Sequence, residues 1–421
     1  MSHPDAERDL RHNVIVHFWD AGLFGLALGL ASLVTVLPLF VKQLTASNLL
    51  IGLVAAMHPL GWHLPQLITV RHASRAKRLL PVTMKLSFHE RWPLLALALL
   101  AWQAPGLDPR LVLLLTFGLV LWFGIGGGLT APPFQTMVGK IIPSANLGAF
   151  YGMKAGAATL MASLGAVLAG AILQRLGWSW NFTACFLLAF VMIMISWGIL
   201  GLTREPEGEP TPIAEADDFW AELRAILHRD RDLRVLLVAR SLSQFAIMAQ
   251  GFLTVYAVGE RGASPATVGW MTGVFMLSQT VANPLMGWLG DRWRHRSVMA
   301  LGALLGAASA LLALFAPSVA WFYLVFALAG IAAVAVVITP LAMIIDYSPE
   351  ADRPAYIGLS NTLVAPAAIL APVLGGWLAD RFGYPATFLA AALGGLATAV
   401  VLMRVLRDPA PRSVAVPEAH S

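Results

Sequence analysis

The sequence predicts an all-α membrane protein of twelve transmembrane helices, arranged as two parallel six-helix bundles. Three observations carry that reading. Apolar stretches of roughly the 17–25 residues that a helix needs to cross a bilayer fill almost the whole chain. The composition is 58% hydrophobic and only 12% charged, against about 25% charged in soluble domains. A stretch late in each half of the chain also recurs at a constant offset. A β-barrel would alternate polar and apolar residues in short segments. These runs are continuous, so the spans are helices whose backbone bonds are satisfied internally.

The spans fall near 14–41, 50–70, 80–102, 111–139, 149–173, 180–202, 234–258, 266–289, 298–316, 319–345, 356–379 and 384–406. The first carries Gly22, Gly25 and Gly29, small residues that let helices approach closely, and one acid, Asp20. The second holds His58, His63 and Gln66. The third is the most charged, with Lys85, His89, Glu90 and Arg91 ahead of Pro93, where a kink is expected. His89-Glu90 resembles the start of a helical zinc site, but proline stands where the second histidine belongs, so no metal is expected. The fourth span carries Gly124, Gly126, Gly127 and Gly128, then Pro132-Pro133. It lacks the lysine and hydroxyl of a phosphate loop, so its glycines read as helix contacts and its prolines as a bend. Lys154 starts the fifth span and snorkelling is its default expectation. The sixth holds Cys185, the single cysteine; it reads as a core residue and rules out an intrachain disulfide. The seventh contains Arg240, Gln244 and Gln250, the eighth Gln279 and Asn283, and the eleventh Asn361 and Pro372-x-x-Gly375-Gly376. Intramembrane amides more often join helices than line a pathway.

The longest polar stretch separates the halves. It begins Arg204-Glu205-Pro206-Glu207, an extended linker, and continues into residues 217–227, where Phe219, Trp220, Leu223, Ile226 and Leu227 recur at helical spacing behind Asp217 or Asp218 as cap. A short amphipathic helix is expected there, lying on the membrane face or packed under the bundle. The expected organisation is a first bundle over 1–202, a central loop over 203–233, and a second bundle with a short tail over 234–421. The repeat supports it: Pro143, Gly152, Gly170, Arg175 and Phe182 recur as Pro349, Gly358, Gly376, Arg381 and Phe388, each 206 residues on. Ala46-Ser47 and Gly52 recur as Ala263-Ser264 and Gly269, 217 residues on. Six spans is an even number, so both copies enter the membrane from one side, which is a parallel repeat.

The net charge of +5 is topological. With both termini on one face, that face collects most of the Lys and Arg, while the other keeps Lys42, Arg110, Arg175, Arg261 and Arg381. The basic face is expected to be cytoplasmic, so no nucleic-acid surface is implied. Charges inside spans cost about 2.5–3.5 kcal/mol each at the centre and therefore seek partners or a cavity. Asp20, Glu90, Arg91, Lys154 and Arg240 are the candidates for proton or substrate contact. Asp20 and Arg240 lie at similar depth in the first and seventh spans. They either meet across the bundles or pair each within its own; the residues leave both open. Glu90 and Arg91 read as a buried network, with Glu90 second to Asp20 as a protonation site.

The loop after the eighth span reads Gly287-Trp288-Leu289-Gly290-Asp291-Arg292-Trp293-Arg294-His295-Arg296. It resembles the Gly-x-Leu-x-Asp-Arg-x-x-Arg-Arg signature of the major facilitator superfamily, and the length, span count and parallel halves agree with that family. The resemblance implies a gate in which Gly287 lets helices approach, Asp291 faces the amides and positive dipole at the start of the fifth span near Phe150, and Arg292, Arg294 and Arg296 pair with carboxylate or lipid phosphate. That the arginines only enforce topology stays open. The first-half copy, Val70 to Arg78, keeps Arg75, Lys77 and Arg78 but has Ser74 in place of the acid, so an asymmetric gate is expected. The fourth-span arginine and fifth-span glycine-proline signature of many proton-driven drug antiporters are missing.

The resemblance implies a secondary transporter that moves a small molecule by alternating access, with protons as a potential second cargo. It implies a monomer in the lipid bilayer of the cell membrane, with no enzymatic activity and no cofactor. A sensor or scaffold that reuses the fold without transporting is the alternative, because fold does not fix function.

Overall fold

The computed structural model describes residues 4–63, 65, 77–143, 146–207, 219–337, 339–348 and 353–407. The expected spans appear as α1 (Pro4–Leu30) with α2 (Val36–Leu44), α3 (Asn48–His63), α4 (Leu80–Gln103), α5 (Pro109–Ile141), α6 (Leu147–Arg175) and α7 (Trp180–Leu200). After α8 (Phe219–Arg229), the second half follows as α9 (Arg231–Ile247) with α10 (Gln250–Gly259), α11 (Pro265–Trp293), α12 (His295–Phe315), α13 (Trp321–Val337) with α14 (Thr339–Tyr347), α15 (Arg353–Phe382) and α16 (Tyr384–Val400). Among the described residues, eight helices are long and apolar enough to cross a membrane by length and composition. Large apolar side chains that face outward, among them Leu114, Leu168 and Leu393, form the surface that lipid covers.

Among the described residues, two expected spans are broken helices. The first bends at 31–35, where the Ser32 hydroxyl accepts from the backbone N–H groups of Val34 and Thr35. A serine that bonds locally competes with the helical ladder, which ends α1 there. The seventh is interrupted between Ile247 and Gln250. Several helix starts carry side-chain caps. Asp108 accepts from Arg110 N–H ahead of α5, Asp230 from Leu233 ahead of α9, and Ser264 from Thr267 ahead of α11.

Packing repeats between the halves. In the first, α1 packs on α6 and α7, α5 on α3 and α4, and α4 on α7. In the second, α9 packs on α15 and α16, α13 on α11 and α12, and α12 on α16. The halves meet through α6 against α11 and α3 against α15. The helix expected at 217–227 is α8, and the placement of Asp217 and Asp218 lies outside the described residues. Ile226 is buried with Leu233, Met299 and Leu402, so α8 is packed under the second half. Below, the terminal face is the one that carries Pro4 and Arg407, where the described residues begin and end, and the distal face is the other.

Candidate functional site

The first half brings four of the five intramembrane charges together. Gly25 and Gly29 of α1 stand against the Ala158 and Ala162 carbonyls of α6, where any Cβ would collide. This contact seats Asp20 beside Lys154. The buried Asp20 carboxylate accepts from the Ser196 hydroxyl of α7 at 2.7 Å and lies 3.9 Å from Lys154 Nζ. Lys154 Nζ is also 3.4 Å from His17 Nδ1 and sits 4.2 Å over the Phe134 ring. On α4, Glu90 and Arg91 are both buried and 3.8 Å apart. Arg91 donates to the Ser87 carbonyl at 2.6 Å. Gly126 of α5 lies against the Glu90 backbone and sets how closely α4 approaches, while Gly124 and Gly128 stand against the His58 and Trp62 carbonyls of α3. The Asp20–Lys154 pair between α1 and α6 and the Glu90–Arg91 pair on α4 thus both lie buried within the first half. Lys85 is exposed.

Arg240 is not part of it. The contact across the bundles between Asp20 and Arg240 is absent here: Asp20 is held by Ser196 and Lys154, and Arg240 donates to the Ser360 hydroxyl of α15. The physical reason is local. Each group finds a partner on a helix packed directly against its own, which satisfies it without leaving its half. Among the described residues, Arg240 has no carboxylate partner.

Of the motif at 287–296, the structure describes all side chains but that of Asp291. A Cβ on Gly287 would meet nothing within 4 Å, so no helix lies against it in this arrangement. Arg292 stacks over Trp288 at 4.6 Å. Arg294 adopts a positive φ of 89° at the α11–α12 corner. Arg296 donates to the Leu406 carbonyl at 2.9 Å, and His295 Nδ1 lies 2.6 Å from Asp346. In the first-half copy, Ser74 and Arg75 lie outside the described residues; the Lys77 carbonyl accepts from Lys140, and Arg78 is 3.3 Å from Glu207. Among the described residues, no group of His, Cys, Asp and Glu is suited to hold a metal ion.

The crossing of α6 and α11 has a direction. At the distal end Gly170 and Gly269 touch backbone to backbone. Further in, the Ser163 hydroxyl donates to the Gly273 carbonyl at 2.9 Å, and Thr159 bonds Thr280. Thr35, just before α2, bonds Thr272. Toward the terminal face a Cβ on Gly152 or Gly156 of α6, or on Gly287 of α11, would meet nothing within 4 Å. The halves are therefore joined distally and diverge toward the terminal face.

Sequence reasoning missed several of these groups. Ser196 and Ser360 are lone hydroxyls on apolar helices and carry no pattern. His17 stands one turn before Asp20, a spacing that was legible. Glu205 was read as linker, yet its buried carboxylate accepts from Leu79 and Leu80 N–H at 2.9 and 2.7 Å and from Lys140 at 3.1 Å. Polar side chains named earlier mostly join neighbours: Gln250 donates to Ala329, Asn283 to Gln279, and His58 packs on Trp62 and Phe123. The side chains of His63 and Gln66 are outside the described residues.

Paired bundles of membrane-spanning helices, joined on one face and splayed on the other, define the class of multi-pass membrane carriers. The Major Facilitator Superfamily profile matches residues 21–259 and 236–421, and the chain belongs to that family. Multidrug resistance protein 1 of Bacillus subtilis is 27% identical over 157 residues, 37% of this chain and 40% of that protein. Multidrug export protein EmrB of Haemophilus influenzae is 26% identical over 181 residues, 41% of this chain and 35% of that protein. The chain thus spans about two fifths of the length of the curated relatives it matches. The crystal structure of a point mutant of the nucleoside transporter NupG superposes with a TM-score of 0.73 at 12% identity, covering 94% of this chain and 99% of that one. A bacterial homologue of the human lysosomal transporter Spinster, solved inward-facing and unoccupied, gives a TM-score of 0.62 at 16% identity, covering 96% and 95%. At such identities the likeness is one of fold.

Proposed function

We propose that this protein is a secondary active transporter that moves a small organic molecule by rocker-type alternating access. The divergence of α6 and α11, from backbone contact at Gly170 and Gly269 to open space at Gly156 and Gly287, carries this reading. A gap shut at one face and open at the other is half of an access cycle. The rocking bodies are the bundles 1–202 and 234–421, linked by 203–233, whose helix α8 travels with the second. The concentration of Lys and Arg on the terminal face supports a cytosolic position for that face and for both termini, in the cell membrane. The gap then opens to the cytosol. Clamping by Asp291 with Arg292, Arg294 and Arg296 belongs to the opposite state, when the terminal face closes.

Relatives named for multidrug resistance and multidrug export support an exported organic compound as cargo. The cluster of Asp20, Lys154, Glu90 and Arg91 is the candidate for proton coupling. A proton on Asp20 would free Lys154 of its counter-charge, and Arg240 with Ser360 offers a polar contact at comparable depth in the other half.

Growth of expressing cells across a panel of toxic organic compounds, followed by flux of the responding compound in proteoliposomes with and without a pH gradient, tests the reading. Wild type should protect against at least one compound, and Asp20→Asn should lose the gradient-driven part of the flux. Absence of protection and of flux for every compound would favour a sensor or scaffold instead.

A further inference from the structure

The second crossing between the halves holds a carboxylate that the transport reading has not used. Asp380 sits in the last turn of α15, at the distal face. It accepts from Asn48 N–H at 2.6 Å, from Leu49 N–H at 2.9 Å and from the Ser47 hydroxyl at 2.8 Å, all at the start of α3 in the other half. One turn earlier, Gly376 lies against the Asn48 carbonyl, which is how α15 comes close enough. Tyr384 also donates to Asn48 Oδ1 at 2.6 Å.

An acid in the last turn of a helix is disfavoured by the negative end of its own dipole, and the first amides of a helix have no partner within it. Docking of α15 on α3 resolves both problems at once. Undocking restores both. Asp380 therefore stabilises the distally closed arrangement selectively, not the second half as such. Its counterpart 206 residues earlier is Gln174, an uncharged side chain, so the last turn of α6 carries no carboxylate at that position. Ser264, the counterpart of Ser47, caps its own helix α11.

We propose that Asp380 is the distal latch of the transporter, a positioning residue whose grip on the start of α3 sets the resting side of the cycle. The proposal rests on the alternating-access reading. The test is pulsed electron–electron distance measurement on full-length protein in lipid nanodiscs. Spin labels go on Gly106→Cys and Ser318→Cys, distal sites in the two halves, in a Cys185→Ala background. Asp380→Asn should raise the ratio of long to short distances roughly two- to fivefold, the loss expected for an exposed charge at a helix start. Ser47→Ala should shift it less in the same direction, and Asp380→Glu should restore most of the wild-type ratio. High salt should move wild type toward the Asn variant.

Gly170→Leu, which drives a side chain into the Gly269 backbone, serves as an independent wedge. If the wedge lengthens the distance and Asp380→Asn does not, the latch is overturned and alternating access stands. If neither variant changes the distance and no flux is found, both readings fall.

Discussion

The two halves solve the same position with different chemistry. Lys154 of α6 and Ser360 of α15 are 206 residues apart, the offset of the internal repeat. Lys154 faces an acid on the first span, Asp20, whereas Ser360 faces a cation on the seventh, Arg240. The helix pairing is shared and the charge is not. In the first half the cation is matched inside its own bundle, within a cluster that also holds Glu90 and Arg91. In the second, the guanidinium has a hydroxyl. Pseudo-symmetry thus preserves which helices meet, since backbone approach depends on small residues and helix direction. It does not preserve the groups that meet there, since those answer to function.

The sharpest way to break the comparison is Asp20→Asn. It leaves Lys154 beside no acid, and removal of one partner from a buried pair costs about 3 kcal/mol. Thermal unfolding of the purified protein should show a large fall. Adding Lys154→Met should recover most of it; a double variant no more stable than Asp20→Asn alone would mean that the pair is not what holds α1 to α6.

Next comes the terminal face, where each half buries a different carboxylate device. Glu205 closes the start of α4, while Asp230 caps α9 and accepts from Tyr356 at 2.8 Å. Glu205→Ala removes acceptors for two amides and for Lys140, and is expected to destabilise by about 2 kcal/mol. The loss should appear as faster amide exchange at Leu79 and Leu80, with exchange at Leu233 unchanged. Equal exchange at both sites would show that the devices are not local to their halves.

The smallest expected effect is Ser360→Ala, about 1 kcal/mol for one hydrogen bond. Ser360→Asp sharpens the contrast by giving Arg240 the counter-charge that Lys154 already has. Its melting midpoint should rise above that of wild type, and substrate flux should fall if Arg240 contacts cargo. A midpoint below that of Ser360→Ala would count against a matched ion pair at this site.

Much of the fold was legible because lipid imposes one rule on every residue of a span. The places of the spans, the role of the glycines at 25 and 29, and the helix near 217–227 follow from apolar length, residue size and periodicity. The breaks in the first and seventh spans were not legible. A serine turn such as that at Ser32 interrupts the backbone without interrupting hydropathy. At Gly287, too, the sequence is silent: a small residue permits close approach and does not compel it.

The sequence alone determined class, repeat and the identity of the costly charges, because burial in a bilayer penalises each charge wherever its neighbours lie. Only the tertiary structure decided which charges meet. Asp20 had candidate partners in either half, and the α1–α6 and α1–α7 contacts selected Lys154 and Ser196. Tertiary structure likewise turned Glu205 and Asp380 from ordinary loop and helix-end acids into caps on helices distant in sequence. A carboxylate acquires such a role from the amides it is brought to face, and no local pattern records where those amides will be.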